Sequence, residues 1–298
     1  QTNRYAQNIG SFDNQGLVIG FKHLFPKAGE EWTADVTYNG MTSKNTNDIR
    51  TDVYPDPTQS VFKRSQQQQL GNGINNSLIL QTDYVRPISE KEKWEMGLRA
   101  QFRQVDNRND FYLIPTTGSP IYLSDLSVNY TSDDRVYAAY TTYTNMLGKW
   151  GYQAGLRLES SDYIGNLPDK SQSFNITFPV SLFPSLYLTR KAAKEQEVQL
   201  NYTRKINRPN FWQLYPFTDY SDSLNISRGN PDLRPEFTNS IEMSYQKTFK
   251  NRDNFIASAY YKRTEGLITR YQAKEIAPVS GKDILINTYL NAQSSYLA

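Results

Sequence analysis

Apolar and polar residues alternate along this chain with a period of two. From Trp32 one parity reads Trp32, Ala34, Val36, Tyr38 and the other Thr33, Asp35, Thr37, Asn39, the pattern of a strand with one apolar and one polar face. Trp94, Met96, Leu98, Ala100 and Phe102 stand against Glu95, Gly97, Arg99, Gln101 and Arg103. Trp150, Tyr152, Ala154, Leu156 and Leu158 stand against Gly151, Gln153, Gly155, Arg157 and Glu159. Val198, Leu200, Tyr202 and Ile241, Met243, Tyr245 repeat the theme. No stretch of comparable length has a helical period, so the chain reads as all-β, with strands expected near 16–25, 32–44, 72–88, 93–105, 135–147, 150–160, 174–190, 195–206, 237–249, 254–266 and 285–298.

The connections between these strands alternate too. "PKAGEE" is followed by the long stretch 45–71, "SEKEK" by 106–134, "GK" by 161–173, "KAAK" by 207–236 and "KNRD" by 267–284. Short turns on one edge and long loops on the other describe an antiparallel up-and-down sheet with two inequivalent ends, the asymmetry of outer-membrane barrels. In Gly148-Lys149, Gly at the first central position of a two-residue turn suits type II′ and places Leu147 opposite Trp150. Trp32, Trp94 and Trp150 each open a strand after a short turn and share its apolar parity, as an interfacial aromatic girdle requires. The competing reading of any one Trp is a residue in the core of a soluble sandwich; recurrence at the same place in three hairpins favours the girdle. Length favours a membrane barrel over a soluble all-β fold as well, because soluble strands run to ~5–6 residues and membrane strands to roughly 9–11. Arg99, Arg103, Arg157, Glu159 and Glu242 on the polar parity suit a wet lumen.

Composition narrows the function classes. The 298 residues carry 33 Lys and Arg against 30 Asp and Glu, and their interspersion argues against a nucleic-acid partner. There is no Cys, hence neither a disulfide framework nor a thiolate metal site. No cofactor and no metal site is expected. "DYSDS" and "DNRND" gather carboxylates, but neither has the ligand spacing and central Gly of an EF-hand loop. His23 is the only His, so no Ser-His-Asp set can form without it and an enzyme is not expected. "SQQQQLGNG" reads as a polar, mobile loop. "QTNRYAQNIG" has no charged and apolar regions of a signal peptide. No run of 18 apolar residues marks a transmembrane helix, which leaves a barrel open.

One stretch breaks the alternation: "RPNFWQLYPFTDYSDSLNISRGNPDLRPE", Arg208 to Glu236, which reads as neither helix nor continuous strand. Asn230-Pro231 favours a turn, Pro235 biases Arg234 to extended geometry, and Glu236 falls on the parity of Glu242. Its aromatics, among them Phe211, Trp212, Tyr215, Phe217 and Tyr220, either pack the loop against the barrel rim or meet a ligand, and packing is favoured because an ordered loop needs burial of its own. The stretch resembles the signature region of TonB-dependent receptors, specifically the outer-membrane β-barrel proteins of the Bacteroidota type. Arg208, Pro209, Leu214, Pro216 and Phe217 match a first motif, and Gly229, Asn230, Pro231, Leu233, Pro235 and Glu236 a second that leads into a lumen-lined strand.

The resemblance implies an outer-membrane barrel, commonly of 22 strands, with a plug inside and a segment that engages the energy-coupling protein TonB. About 11 strands and no plug are legible over residues 1–298, so a partial barrel domain is expected. An odd strand number would leave a single-chain bacterial barrel unclosed. Two functions follow. One is energy-coupled uptake of a nutrient or metal chelate. The other is a receptor-like scaffold, a subunit of a larger outer-membrane assembly with a surface lipoprotein or other membrane-complex partner. Membrane lipid is a partner of either.

Overall fold

The computed structural model describes residues 2–54, 63–124, 126–193, 195–214, 227–276, 283–292 and 296–297. Twelve strands form one sheet in the order β1-β2-β3-β4-β6-β7-β8-β9-β10-β11-β14, with β5 paired to β4. They are β1 Thr2–Leu24, β2 Glu31–Val53, β3 Lys63–Ser89, β4 Glu92–Ile114, β5 Ile121–Tyr122, β6 Val128–Leu147, β7 Trp150–Leu167, β8 Gln172–Ala193, β9 Gln196–Asn207, β10 Glu236–Thr248, β11 Asn254–Glu265 and β14 Tyr296–Leu297. Every main pairing is antiparallel between neighbours in sequence, as the alternation of connections predicts. Leu147 lies opposite Trp150, and Gly148 has φ of 60°, as a type II′ turn demands.

Register sorts the side chains by face. Val36, Leu80, Ala100 and Tyr137 form one row across β2, β3, β4 and β6. The adjacent row, on the other face, reads Asp35, Gln81, Arg99, Ala138 and Glu159. Exposure is inverted relative to a water-soluble sheet: Leu98 is 59% exposed and Leu182 55%, whereas Glu159 is 8% exposed. An apolar face left open beside a polar face that buries its charges suits a sheet whose outer solvent is lipid.

Strands β1–β4 and β6–β8, of 18–27 residues, are about twice as long as a membrane needs, whereas β9–β11 have 12–13. β4 has 23 residues and β3 has 27, against roughly 9–11 for a spanning strand. On β4 the outer face is apolar from Trp94 to Phe102 and then turns to Gln104, Asp106, Arg108 and Asp110; on β2 it is apolar from Trp32 to Tyr38 and then reads Gly40, Thr42 and Lys44. The apolar band therefore hugs the short-turn edge, and beyond it β2, β3 and β4 continue as a wall that is largely polar on both faces. This corrects the expected loops. "SQQQQLGNG" belongs to β3, pairing with β4, and "DNRND" is part of β4. Ion pairs pin the far end of the wall: Arg64 donates to Asp52 at 2.8 Å, and that bond, with Arg50 beside it, holds the Asp52 carboxyl below the ordinary carboxylate range.

The last expected strand is also corrected. Residues 268–291, read as loop and then strand, form a separate hairpin of β12 Ile268–Ile276 and β13 Asp283–Asn291. Among the described residues beyond the hairpin, Tyr296 and Leu297 rejoin the sheet, against Thr264 and Arg263.

The three Trp of the short-turn edge all lie on the apolar face with exposed rings, the Trp32 indole donating to Thr82 at 2.7 Å, Trp94 donating to Thr141, and Arg190 lying 4.9 Å over the Trp150 ring. The two edges make a direct prediction. In intact cells, Lys91→Cys and Asn251→Cys on the short turns should resist a membrane-impermeant maleimide, while Ser119→Cys at the long-strand end should label; reversed accessibility would overturn the orientation.

Candidate functional site

Residues 208–214 and 227–236 fold back onto the polar face of the wall, and the chemistry of their motif residues explains how. Phe211–Leu214 is one turn of helix, α1, a correction to the expectation of no helix here. Asn210 and Gln213 close it reciprocally: the Gln213 amide donates to Asn210 Oδ1 at 3.0 Å, and the Asn210 amide donates to Gln213 Oε1 at 2.9 Å, a capping box. The turn delivers Phe211 and Leu214, both buried, to a floor of Tyr130, Tyr163, Leu167 and Phe178, and Leu233 completes the cluster. Phe211 stacks on Tyr130 with ring centroids 3.9 Å apart.

A bulge builds that floor. Between β7 and β8 the register slips, Glu159 facing Ser181 but Ser161 facing Phe178, so that Pro179 and Val180 together stand against the single Ser160, one residue more than a regular ladder holds. On one side of the slip the polar face receives Ser181 and Phe183; on the other it receives Phe178, Ile176 and Phe174, which a regular strand would have turned outward.

Asn230 is the hub of the second motif. Its amide donates to the Gln213 carbonyl at 2.6 Å, its Oδ1 accepts from Asp232 at 2.9 Å, and its Nδ2 donates to the Tyr289 carbonyl at 3.0 Å. Its own carbonyl accepts from Leu233 at 3.3 Å, a four-residue turn with Asn first and Pro231 second. Gly229 is buried, and Pro231 is exposed. Asn291 of β13 is bonded both ways to Arg234, and Glu236 accepts from the Ile268 amide at 2.6 Å and from Asn207 at 2.8 Å. Arg228 pairs with Glu275 of β12. Residues 208–214 and 227–236 and the β12–β13 hairpin are thus one folded cap, with Ile268 and Tyr289 packed against its core.

Charge ties the cap to the wall. Arg208 reaches Glu159, which also accepts from Arg157 at 2.9 Å. Arg157 lies 5.8 Å over the Tyr140 ring, Tyr140 donates to Asp83, Asp83 accepts from Gln81 at 2.8 Å, and Gln81 accepts from Arg99 at 3.3 Å. Gly97 stands between Asp83 and Tyr140 in register, where a Cβ would lie 2.4 Å from the tyrosine ring. A polar chain therefore crosses β3, β4, β6 and β7 and ends on the cap. It offers hydrogen-bonding groups and charges of both signs but, among the described residues, no cluster of metal-ligating side chains. A recess of about 790 Å³ lined by Phe21, Val36, Leu80 and Leu98 belongs to the other, apolar face.

Of the residues singled out in the sequence, Arg208, Pro209, Leu214, Gly229, Asn230, Leu233, Pro235 and Glu236 come together in the cap. Trp212 is 48% exposed and meets Tyr130 edge-on at 5.3 Å. Tyr215, Pro216, Phe217 and Tyr220, with "DYSDS", lie outside the described residues. Glu159, Asp83, Tyr140 and Asn291 were not predicted as partners of the cap. Glu159 was legible only as one more lumen charge, and nothing in local sequence links residues 49 positions apart.

The profile of the outer membrane protein beta-barrel family matches residues 23–297. The chain belongs to that family. It is therefore a multi-pass outer-membrane β protein, and its polar face is a barrel lumen. No curated protein matches this family member in sequence. Among solved structures it is similar to Pseudomonas aeruginosa FpvA bound to heterologous pyoverdines, with a TM-score of 0.57 at 13% identity over 92% of this chain and 36% of that one. It is also similar to the Serratia marcescens hemophore receptor HasR in complex with its hemophore HasA and heme, with a TM-score of 0.51 at 11% identity over 96% and 50%. The copper transporter OprC gives 0.51 at 14% identity over 90% and 42%. The chain thus spans half or less of the length of these relatives in fold.

Proposed function

We propose that this chain forms part of the barrel of a TonB-dependent receptor that imports a nutrient or metal chelate across the outer membrane. The observation that carries the reading is the cap: a loop and hairpin folded as one body on the lumen face, beyond the apolar band, and tied by Arg208 to a polar chain along the wall. A scaffold needs lipid contact and a closed wall, whereas a structured polar lumen with its own cap suits capture of a polar ligand. Receptors and transporters for a ferric pyoverdine, heme and copper among the structural relatives support the same class. The motif pair supports the Bacteroidota type, and on that reading a plug in the full-length protein engages TonB and a surface lipoprotein is a candidate partner. No catalysis is assigned.

Uptake of labelled ferric siderophore, heme or copper, measured in cells expressing the full-length protein, should fall to background when TonB is deleted. Accumulation of all three at background in the presence of TonB, with the barrel normally assembled, would favour the scaffold.

A further inference from the structure

The three tryptophans of the short-turn edge are alike in sequence position and unlike in their bonding. The Trp32 indole gives its N–H to Thr82, and Trp94 gives its own to Thr141. Trp150, 49% exposed, donates to no acceptor among the described residues. An arginine stands beside two of the three. Arg86 faces Trp94 across β3 and β4, and Arg190 faces Trp150 across β7 and β8. Among the described residues the second pair alone stacks, the Arg190 guanidinium lying 4.9 Å over the Trp150 ring.

Lys149 adds a second cation, one residue before Trp150. The turn holds it there: Gly148 has φ of 60°, and the Lys149 carbonyl accepts from the Lys191 amide at 3.0 Å, next to Arg190. Lys149 and Arg190 are both exposed, and neither has an acidic partner among the described residues. Elsewhere on this edge Lys22 pairs with Glu31 at 2.6 Å and Lys93 with Glu95 at 3.1 Å. The acids of the next turn, Glu195 and Glu197, line a separate recess with Lys191 and Gln246, and Glu197 accepts from Gln199 at 2.6 Å.

We propose that Arg190, Lys149 and the Trp150 indole N–H bind the phosphate of an anionic phospholipid in the leaflet at the short-turn edge. Stacking pre-orients the guanidinium fork, whose geometry matches phosphate oxygens. Position selects a lipid as the occupant. Trp150 opens the apolar face, and Leu147, Tyr152, Leu186 and Leu188 continue it as a surface for acyl chains, Leu147 opposite Trp150 and Tyr152 opposite Leu188. Cations at that depth meet anionic headgroups. The inference rests on the membrane orientation and is independent of transport.

The test uses the detergent-purified full-length protein, titrated separately with phosphatidylglycerol, phosphatidylcholine and inorganic phosphate, with bound adducts counted by native mass spectrometry. Phosphatidylglycerol should bind most tightly. The Lys149→Gln/Arg190→Gln variant should lose roughly 30-fold in affinity, about fivefold for each cation. Trp150→Phe, which keeps a ring beside Arg190 and removes the N–H, should lose about fivefold, while Arg86→Gln, likewise opposite a tryptophan of this edge, stays unchanged. Heat-modifiable gel mobility verifies folding; should the double variant not fold, the exposed Lys149→Gln alone is read for its loss of about fivefold. Equal binding of phosphatidylcholine, phosphate binding as tightly as the lipid, an equal loss in Arg86→Gln, or an unchanged affinity in the folded variants would overturn the assignment.

Discussion

Leu214→Ala should undock the cap while leaving the wall assembled. Leu214 is fully buried at the centre of the cluster that joins α1 to Tyr130, Tyr163 and Leu167, and removing a buried leucine side chain costs about 2–5 kcal/mol. The wall does not depend on it, since its strands are held by antiparallel ladders and by lipid. Trypsin reads the difference. Arg208 and Arg234 are each followed by Pro, so Arg228, followed by the buried Gly229, is the susceptible bond of the loop. Cleavage there should accelerate at least ~30-fold, because proteolysis follows the population of the open form. Wild-type cleavage rates in a variant with normal heat-modifiable mobility would show that the cluster does not hold the cap.

Glu159→Gln should loosen the same contact from the electrostatic side. Glu159 is the one carboxylate shared by Arg157 and Arg208, and its neutralisation leaves two cations facing each other across a partly buried site. Breaking a fully buried pair typically costs ~3–5 kcal/mol. The side chains of Arg157 and Arg208 remain 33% and 23% exposed, and water screens part of that loss, so a cost of order 2 kcal/mol is expected. The double variant Glu159→Gln/Arg208→Gln should recover about 1 kcal/mol in a double-mutant cycle read by thermal loss of the folded gel form. Additive effects of the two substitutions would mean that Arg208 and Glu159 are neighbours without coupling.

The hairpin rhythm and the faces of the sheet were legible in the sequence because lipid and a wet lumen impose opposite demands on alternate residues, as from Trp94 to Arg103. Where that contrast fades, so does the signal. Gln66–Gln69 and Asp106–Asp110 are strand without alternation, since both faces of the wall lie in water there. The β12–β13 hairpin was missed because its order rests on contacts with a distant loop, through Asn230, Arg228 and Asn291. The cap could be anticipated from the dense aromatics and prolines of Arg208–Glu236, but not its docking place. Glu159 lies far away in sequence, and the floor of Phe174, Ile176 and Phe178 depends on a register slip that no local residue pattern announces.

That slip makes β8 a strand with two reading frames. Above Pro179 and Val180 its even-numbered residues, Leu182, Leu186 and Leu188, belong to the lipid; below, its even-numbered residues belong to the interior. Losing a single residue at the junction would restore one frame throughout and turn three hydrophobic side chains from the cap toward the outside, with no change in composition. Across descendants of this chain, length changes in β8 should therefore survive only in twos, or paired with a compensating change elsewhere in the strand, which makes its residue count as much a part of the site as any side chain in it.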